Sequence, residues 1–207
     1  MKRVVVVDYG LGNLHSVVKA LRHEGADEVR VSEDPTEVRT AERLVLPGVG
    51  AFADGMEGLH RRGLVEPILD FVATGRPFLG ICLGMQLLLA ESSEFGRTIG
   101  LGIIDGVVEL IPRTPGRKVP HIGWNRINPA GHGWAGTPLE PLEPGTMTYF
   151  VHSYTAVPAR EEDRLADTDH VGFRVSAAVR RDNVVGTQFH PEKSGTSGLL
   201  VIARYLR

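Results

Sequence analysis

Two short stretches carry residue types that can do nucleophilic chemistry. The first is Gly80-Ile81-Cys82-Leu83-Gly84-Met85-Gln86, which holds the only cysteine of the chain between two glycines. An apolar run from Pro77 to Ile81 leads into it and a helix-like apolar run from Met85 to Ala90 leads out. This is the layout of a nucleophile elbow, in which the reactive side chain sits on a sharp strand-to-helix turn and flanking glycines keep Cβ atoms out of the bend. A thiol placed there would meet the N–H groups of a helix start, which favour a thiolate and can later receive an oxyanion. The second stretch is Gly186-Thr187-Gln188-Phe189-His190-Pro191-Glu192. In an extended chain, the two-residue spacing puts His190 and Glu192 on one face. A carboxylate can then orient the imidazole while the imidazole takes the thiol proton, so that Cys82, His190 and Glu192 would form a triad. Taken singly, a lone cysteine reads as a core residue and a His-Pro-Glu run as a solvated strand end. Together they read as a site.

The order G-x-C-x-G-x-Q followed by H-P-E resembles the class I (triad) glutamine amidotransferases over essentially the whole chain. Within that class, three further stretches are similar to the glutaminase subunits of imidazole glycerol phosphate synthases, enzymes of histidine biosynthesis. They are Asp8-Tyr9-Gly10-Leu11-Gly12-Asn13-Leu14, Leu46-Pro47-Gly48-Val49-Gly50-Ala51-Phe52 and Val119-Pro120-His121-Ile122-Gly123-Trp124-Asn125. The resemblance implies hydrolysis of glutamine to glutamate and ammonia through a thioester on Cys82. It implies an oxyanion hole from the N–H of Leu83 and a peptide N–H of the Pro47-Gly48-Val49-Gly50 loop, and a glutamine grip by Gly50, Gln86 and the Ser153-Tyr154 pair.

Many other triad glutaminases carry P-G-G where Val49 stands here. By resemblance, the peptide at Val49 turns inward only when a partner subunit is engaged, so the isolated chain is expected to hydrolyse glutamine slowly. The same resemblance assigns Asn13, Pro120, Trp124, Tyr149 and Lys193 to the partner interface or the ammonia exit, with the Pro120–Trp124 segment as a loop facing the partner. That partner would be a cyclase subunit with a (β/α)8 barrel, bound as a heterodimer. No cofactor and no metal are implied. The alternatives are the glutaminase subunit of another amidotransferase, a stand-alone γ-glutamyl cysteine hydrolase, and a silent binding module, which would have lost triad residues. His15, His23, His60, His132 and His170 show no ligand spacing, and His152 stands next to the substrate pair without an assigned role.

Composition bounds the rest. The 207 residues suit one α/β domain over 1–207. A formal charge of -2, from 25 acidic and 23 basic residues, leaves no electrostatic footprint for nucleic acid or an anionic membrane. A single cysteine allows no intrachain disulfide framework and fits a reducing cytoplasm. Asp8 cuts the N-terminal apolar run before a secretory h-region could form, and no stretch approaches the roughly 20 apolar residues of a membrane span.

The elements that would position the site alternate in the first half. Arg3 to Val7, Glu28 to Val31, Arg43 to Leu46 and Phe78 to Ile81 read as strands. Helices are expected from an Asn13 cap to His23, over Asp34 to Thr40, over Leu59 to Thr74, and over Met85 to Glu91. After Gly106 helical periodicity stops, and antiparallel strands are expected at Val107 to Ile111, Met147 to Val151, Arg174 to Arg180 and Val184 to Phe189, the last two joined by a hairpin at Asp182-Asn183. Pro129 to Pro144 reads as a surface connection and Gly195 to Leu206 as a closing helix. The fold class is thus α/β, an open, mainly parallel sheet with flanking helices and an antiparallel β-rich second half.

Overall fold

The computed structural model describes residues 2–131 and 133–207; Met1 and His132 lie outside the described residues. Its first half is a β-α alternation: β1 (Arg3–Val7), α1 (Leu14–His23), β2 (Glu28–Ser32), α2 (Pro35–Thr40), β3 (Arg43–Gly48), α3 (Phe52–Arg61), α4 (Val65–Ala73), β4 (Phe78–Cys82) and α5 (Leu83–Gln86). The strands that follow are β5 (Leu89–Ser92), β6 (Thr98–Ile99), β7 (Ile104–Leu110), β8 (His121–Pro129), β9 (Thr146–His152), β10 (Tyr154–Pro158), β11 (Arg164–Asp169), β12 (Arg174–Arg181) and β13 (Val184–Thr187), and α6 (Gly195–Tyr205) comes last.

One sheet of nine strands runs β2-β1-β3-β4-β13-β12-β11-β8-β9. Its β2-β1-β3-β4-β13 part is parallel, and the remainder is antiparallel. A second sheet has the order β10-β7-β5-β6. The continuous valine run of β1 is buried on both faces: Val4 and Val6 join a core with Val17 and Leu21 of α1 and Val201 and Ile202 of α6. Val5 and Val7 join a second core with Phe52, Leu59, Ile68 and Phe71 of α3 and α4, and with Ile104 and Val108 of the small sheet. Apolar side chains on both sides of a parallel strand are what such a run requires.

Four local expectations change. The helix expected over Leu59–Thr74 is two helices, because Gly63 adopts φ 64 and ends α3; α3 itself begins at Phe52, earlier than its glycines suggest. Those glycines are packing positions, since a Cβ on Gly58 would lie 2.4 Å from the Tyr9 carbonyl oxygen. The helix behind Cys82 is only Leu83–Gln86, and Leu89–Ser92 pairs as β5 with β6 and β7. An apolar run of this kind fits a buried helix or a buried strand equally well. Most of the segment expected as a partner-facing loop, from His121 to Trp124, is the start of β8, a nine-residue strand paired with β9 from His121 to Ile127 and with β11 at Asn128 and Pro129. The connection after Pro129 is not merely superficial, because Trp134, Leu139 and Leu142 are buried and Trp134 donates through Nε1 to the Leu165 carbonyl.

Asn13 does occupy the N-cap position of α1, but among the described residues its side chain makes no capping bond. At α2, by contrast, Asp34 accepts from the Thr36 and Glu37 amides. The Asp182-Asn183 hairpin forms, with Arg181 opposite Val184 and Asp182 at φ 51. Among the described residues no helix is long and apolar enough to cross a membrane.

Candidate active site

Cys82 ends β4, and its neighbours in register are Gly48 at the end of β3 and, one residue earlier, Thr187 opposite Ile81 at the end of β13. Three parallel strands therefore deliver their C-terminal ends to one place, where open α/β sheets build their clefts. Cys82 has φ 54 and ψ -108, a left-handed conformation that costs a non-glycine residue on the order of 1–3 kcal/mol and is characteristic of functional turns. The glycines beside it are steric necessities. A Cβ on Gly84 would stand 1.8 Å from the Leu46 carbonyl oxygen, and one on Gly80 would stand 2.8 Å from the carbonyl oxygen of Gly84. The helix behind the thiol is a single turn, so it lends little macrodipole, and what it does offer is the local N–H groups of its first residues.

His190 follows β13 after Gln188 and Phe189. Its Nδ1 lies 2.8 Å from Glu192 Oε1, and both side chains are buried. Burial pushes the imidazole pKa down, but interactions with Cys82 and with the Glu192 carboxylate outweigh it and raise it to about 9. The ring therefore holds a proton at neutral pH. Among the described residues, the buried His190 Nε2 and Glu192 Oε2 have no partner in hydrogen-bond geometry, so Nε2 is the ring nitrogen left for Cys82 and a reacting group.

A cleft of about 570 Å³ opens over Cys82, lined by Val49, Gly50, Leu83, Gln86, Ser153 and Tyr154 among others. These are the six residues the sequence nominates for oxyanion and substrate contacts. Gly50 has φ 121, in the region that favours glycine. Gln86 is buried rather than on a helix surface; its Nε2 donates to the Tyr154 carbonyl at 3.1 Å and to Gln188 Oε1 at 2.9 Å. Both of its N–H groups are thus spent, and only Oε1 is left to meet a ligand.

Gln188, part of the His190 stretch, has no role assigned by the sequence. It is fully buried and its Nε2 points at Cys82 Sγ, 3.7 Å away. Period-two alternation would have placed it on the same face as His190 and Glu192. Glu94, Phe95 and Arg113 also line the cleft; they come from loops whose spacing carries no signal.

The nominated interface residues divide into two places. Trp124 and Tyr149 pair across β8 and β9; Tyr149 accepts the His190 N–H at 3.0 Å through its carbonyl. A Cβ on Gly195 would come within 3.8 Å of the Trp124 ring, so Trp124, Tyr149 and the exposed Lys193 gather around the back of His190. The Asn13 helix packs against the same turn, Pro191–Lys193. Pro120 lies apart on the surface, lining a second cleft with Arg117 and Lys118. Trp124 is 52% exposed, which excludes a core role for it. Among the described residues no group of three or more His, Cys, Asp or Glu side chains could hold a metal ion.

Residues 5–203 match the class-I glutamine amidotransferase family. The chain is 46% identical over 213 residues to imidazole glycerol phosphate synthase subunit HisH 1 of Legionella pneumophila (strain Lens), covering all of both chains. It is 48% identical over 208 residues to imidazole glycerol phosphate synthase subunit HisH of Aquifex aeolicus, covering 99% of this chain and 96% of that one. In three dimensions it is similar to PurLQS from Thermotoga maritima, with a TM-score of 0.74 at 22% identity over 99% of this chain and 97% of the other. At that identity the likeness bears on the fold alone.

Proposed function

This chain belongs to the class-I glutamine amidotransferase family, and we propose that it is the glutaminase subunit of an imidazole glycerol phosphate synthase, forming one domain over residues 1–207. Full-length identity to subunits of that name supports the assignment. The observation that supports the chemistry best is that Cys82 lines the cleft and raises the pKa of a buried His190 imidazole, whose Nδ1 lies 2.8 Å from Glu192 Oε1.

In this reading the Cys82 thiolate attacks the side-chain amide carbon of glutamine. The tetrahedral oxyanion is met by the Leu83 N–H and by a peptide N–H of the Gly48–Gly50 loop. Collapse expels ammonia as His190 transfers its proton to the leaving nitrogen, leaving a thioester on Cys82. His190, now neutral, takes a proton from water, and the hydroxide attacks the thioester to give glutamate and regenerate the thiolate–imidazolium pair. Glu192 keeps the ring oriented through Nδ1. Gly50, Gln86 Oε1, Ser153 and Tyr154 hold the amino-acid part.

Ammonia then passes to a cyclase subunit, proposed to be a (β/α)8 barrel, which consumes it in making imidazole glycerol phosphate and an aminoimidazole carboxamide ribotide. The exposed Trp124 and Ile122 on one face of β8, with Lys193 close by, supply an apolar and basic surface for that subunit. A free-standing hydrolase would have no use for it. The cytoplasm is the proposed compartment.

Glutamine hydrolysis by the chain alone, with the cyclase subunit, and with both the subunit and an analogue of its substrate tests the assignment. A large rise only when all are present is the expected result. Full turnover by the isolated chain would overturn the partner-dependent oxyanion switch at Val49.

A further inference from the structure

A series of oriented hydrogen bonds runs from β8 to the candidate nucleophile, and its directions can be assigned atom by atom. His152 Nδ1 lies 2.7 Å from the Tyr154 carbonyl oxygen, which can only accept, so Nδ1 carries the proton. In the neutral ring Nε2 is then an acceptor, and His121 Nδ1, 3.1 Å away, is its donor. His121 Nε2 is left as an acceptor and meets the Asn125 amide nitrogen at 3.3 Å. Asn125 is itself fixed, because the same nitrogen donates to the Asp169 carbonyl at 2.7 Å and Oδ1 accepts the Arg126 N–H at 2.8 Å.

Both rings are buried, and His121 stacks on Phe150 and on His170. Burial, helped by His170, lowers the His121 pKa to about 4. Burial lowers His152 to about 3 against the opposing Tyr154 bond, with His121, His170 and His190 adding to the depression. Neither ring charges near neutral pH.

At the far end, the Tyr154 carbonyl accepts from His152 and from Gln86, filling both lone pairs. Gln86 holds Gln188, and Gln188 faces the Cys82 sulfur. Reversing either ring would set donor against donor, so the two tautomers are determined together.

We propose that His121 and His152 are positioning residues of the glutaminase site: their fixed tautomers lock the Tyr154 carbonyl that carries Gln86 and Gln188, and so tie the strand bearing Trp124 to the wall of the substrate cleft and to Cys82. The inference rests on the function proposed above. These histidines touch no reacting atom. Strand alternation puts His121 and Asn125 on the inward face of β8 and Ile122 and Trp124 on the outward one, so one strand carries both the relay and the exposed face.

The test has an arm that needs no activity. Nitrogen-15 NMR of the intact chain should show His121 and His152 as neutral Nδ1–H tautomers from pH 8 to 5.5, with a scalar coupling through the hydrogen bond between His121 Nδ1 and His152 Nε2. Nε2–H tautomers, or ordinary titration near 6.5, would overturn the relay even in an active enzyme. In the second arm, the chain assembled with its cyclase subunit is assayed for glutamine hydrolysis. His152→Phe should lower kcat/KM about tenfold, the size expected from one buried hydrogen bond, mainly through KM. His152→Asn, whose Nδ2 can still donate to the Tyr154 carbonyl, should recover most of the loss. A fully active Phe variant, or an Asn variant no better than Phe, would overturn the positioning role. A wild-type complex that does not hydrolyse glutamine would overturn the proposed function instead, leaving the relay to stand or fall on the spectra.

Discussion

Trp124 and Tyr149 face each other across β8 and β9, in register and edge to face, with ring centroids 6.1 Å apart. Half of the tryptophan surface nevertheless remains exposed, so the pair does little for the core. Replacing Trp124 by Ala should leave the thermal midpoint within a few degrees of wild type. Affinity for the cyclase subunit should fall by about 30-fold or more, the scale of a lost aromatic anchor worth about 2 kcal/mol. Calorimetry for the midpoint and titration for the affinity decide it, and an unfolded variant would return Trp124 to the core.

Stability should depend on pH in two opposite senses. His190 is raised from 6.5 to about 9, so between those values the native chain binds more protons than the unfolded one, and stability falls as pH rises. His121 and His152 are lowered to about 4 and about 3, so below 6.5 the unfolded chain binds more, and stability falls as pH drops. Each group contributes a slope of roughly 1.4 kcal/mol per pH unit where it is fully engaged. Denaturant titrations should therefore show greatest stability near pH 6.5, with the limb toward 5.5 about twice as steep as that toward 8. Cys82→Ala should flatten only the alkaline limb, because it removes one of the two groups that raise His190. A profile with no alkaline fall would contradict the protonated imidazole.

Among the described residues the buried hydroxyl of Tyr9 has no hydrogen-bond partner, and a Cβ on Gly48 would lie 2.0 Å from it. Burial first, and the charge of Cys82 second, raise the pKa of the phenol. An unsatisfied buried hydroxyl costs about 1 kcal/mol or more, so Tyr9→Phe should raise the thermal midpoint by roughly 2–4 °C for a chain of this size. A lowered midpoint would mean that the hydroxyl is satisfied in solution.

Much of this arrangement was legible because the chemistry left local marks. Cys82 stood between glycines that cannot be anything else, and the spacing of His190 and Glu192 fits the extended backbone after β13. The strand β1 announced itself as a valine run buried on both faces, whereas β13, expected as antiparallel, is antiparallel to β12 but parallel to β4. What escaped was decided by distant packing. The glycines of α3 hide a helix because Gly58 must pass under the Tyr9 carbonyl. The leucines after Gln86 leave the helix because β6 and β7 are there to pair with Leu89–Ser92. Gln188, His121 and His152 gain their meaning from local contacts joined to partners at least 31 residues away in the chain, which spacing alone does not reveal.

If the sulfur of Cys82 is the nucleophile in glutamine hydrolysis, single-turnover mass spectrometry of the assembled complex will catch it acylated. Wild-type protein quenched during turnover should carry a glutamyl adduct on the peptide containing Cys82, and Cys82→Ala should show neither the adduct nor ammonia release above about one part in ten thousand of wild type, the scale of losing a catalytic nucleophile. Undiminished ammonia release by Cys82→Ala, or an adduct on another residue, would rule out Cys82 as the nucleophile.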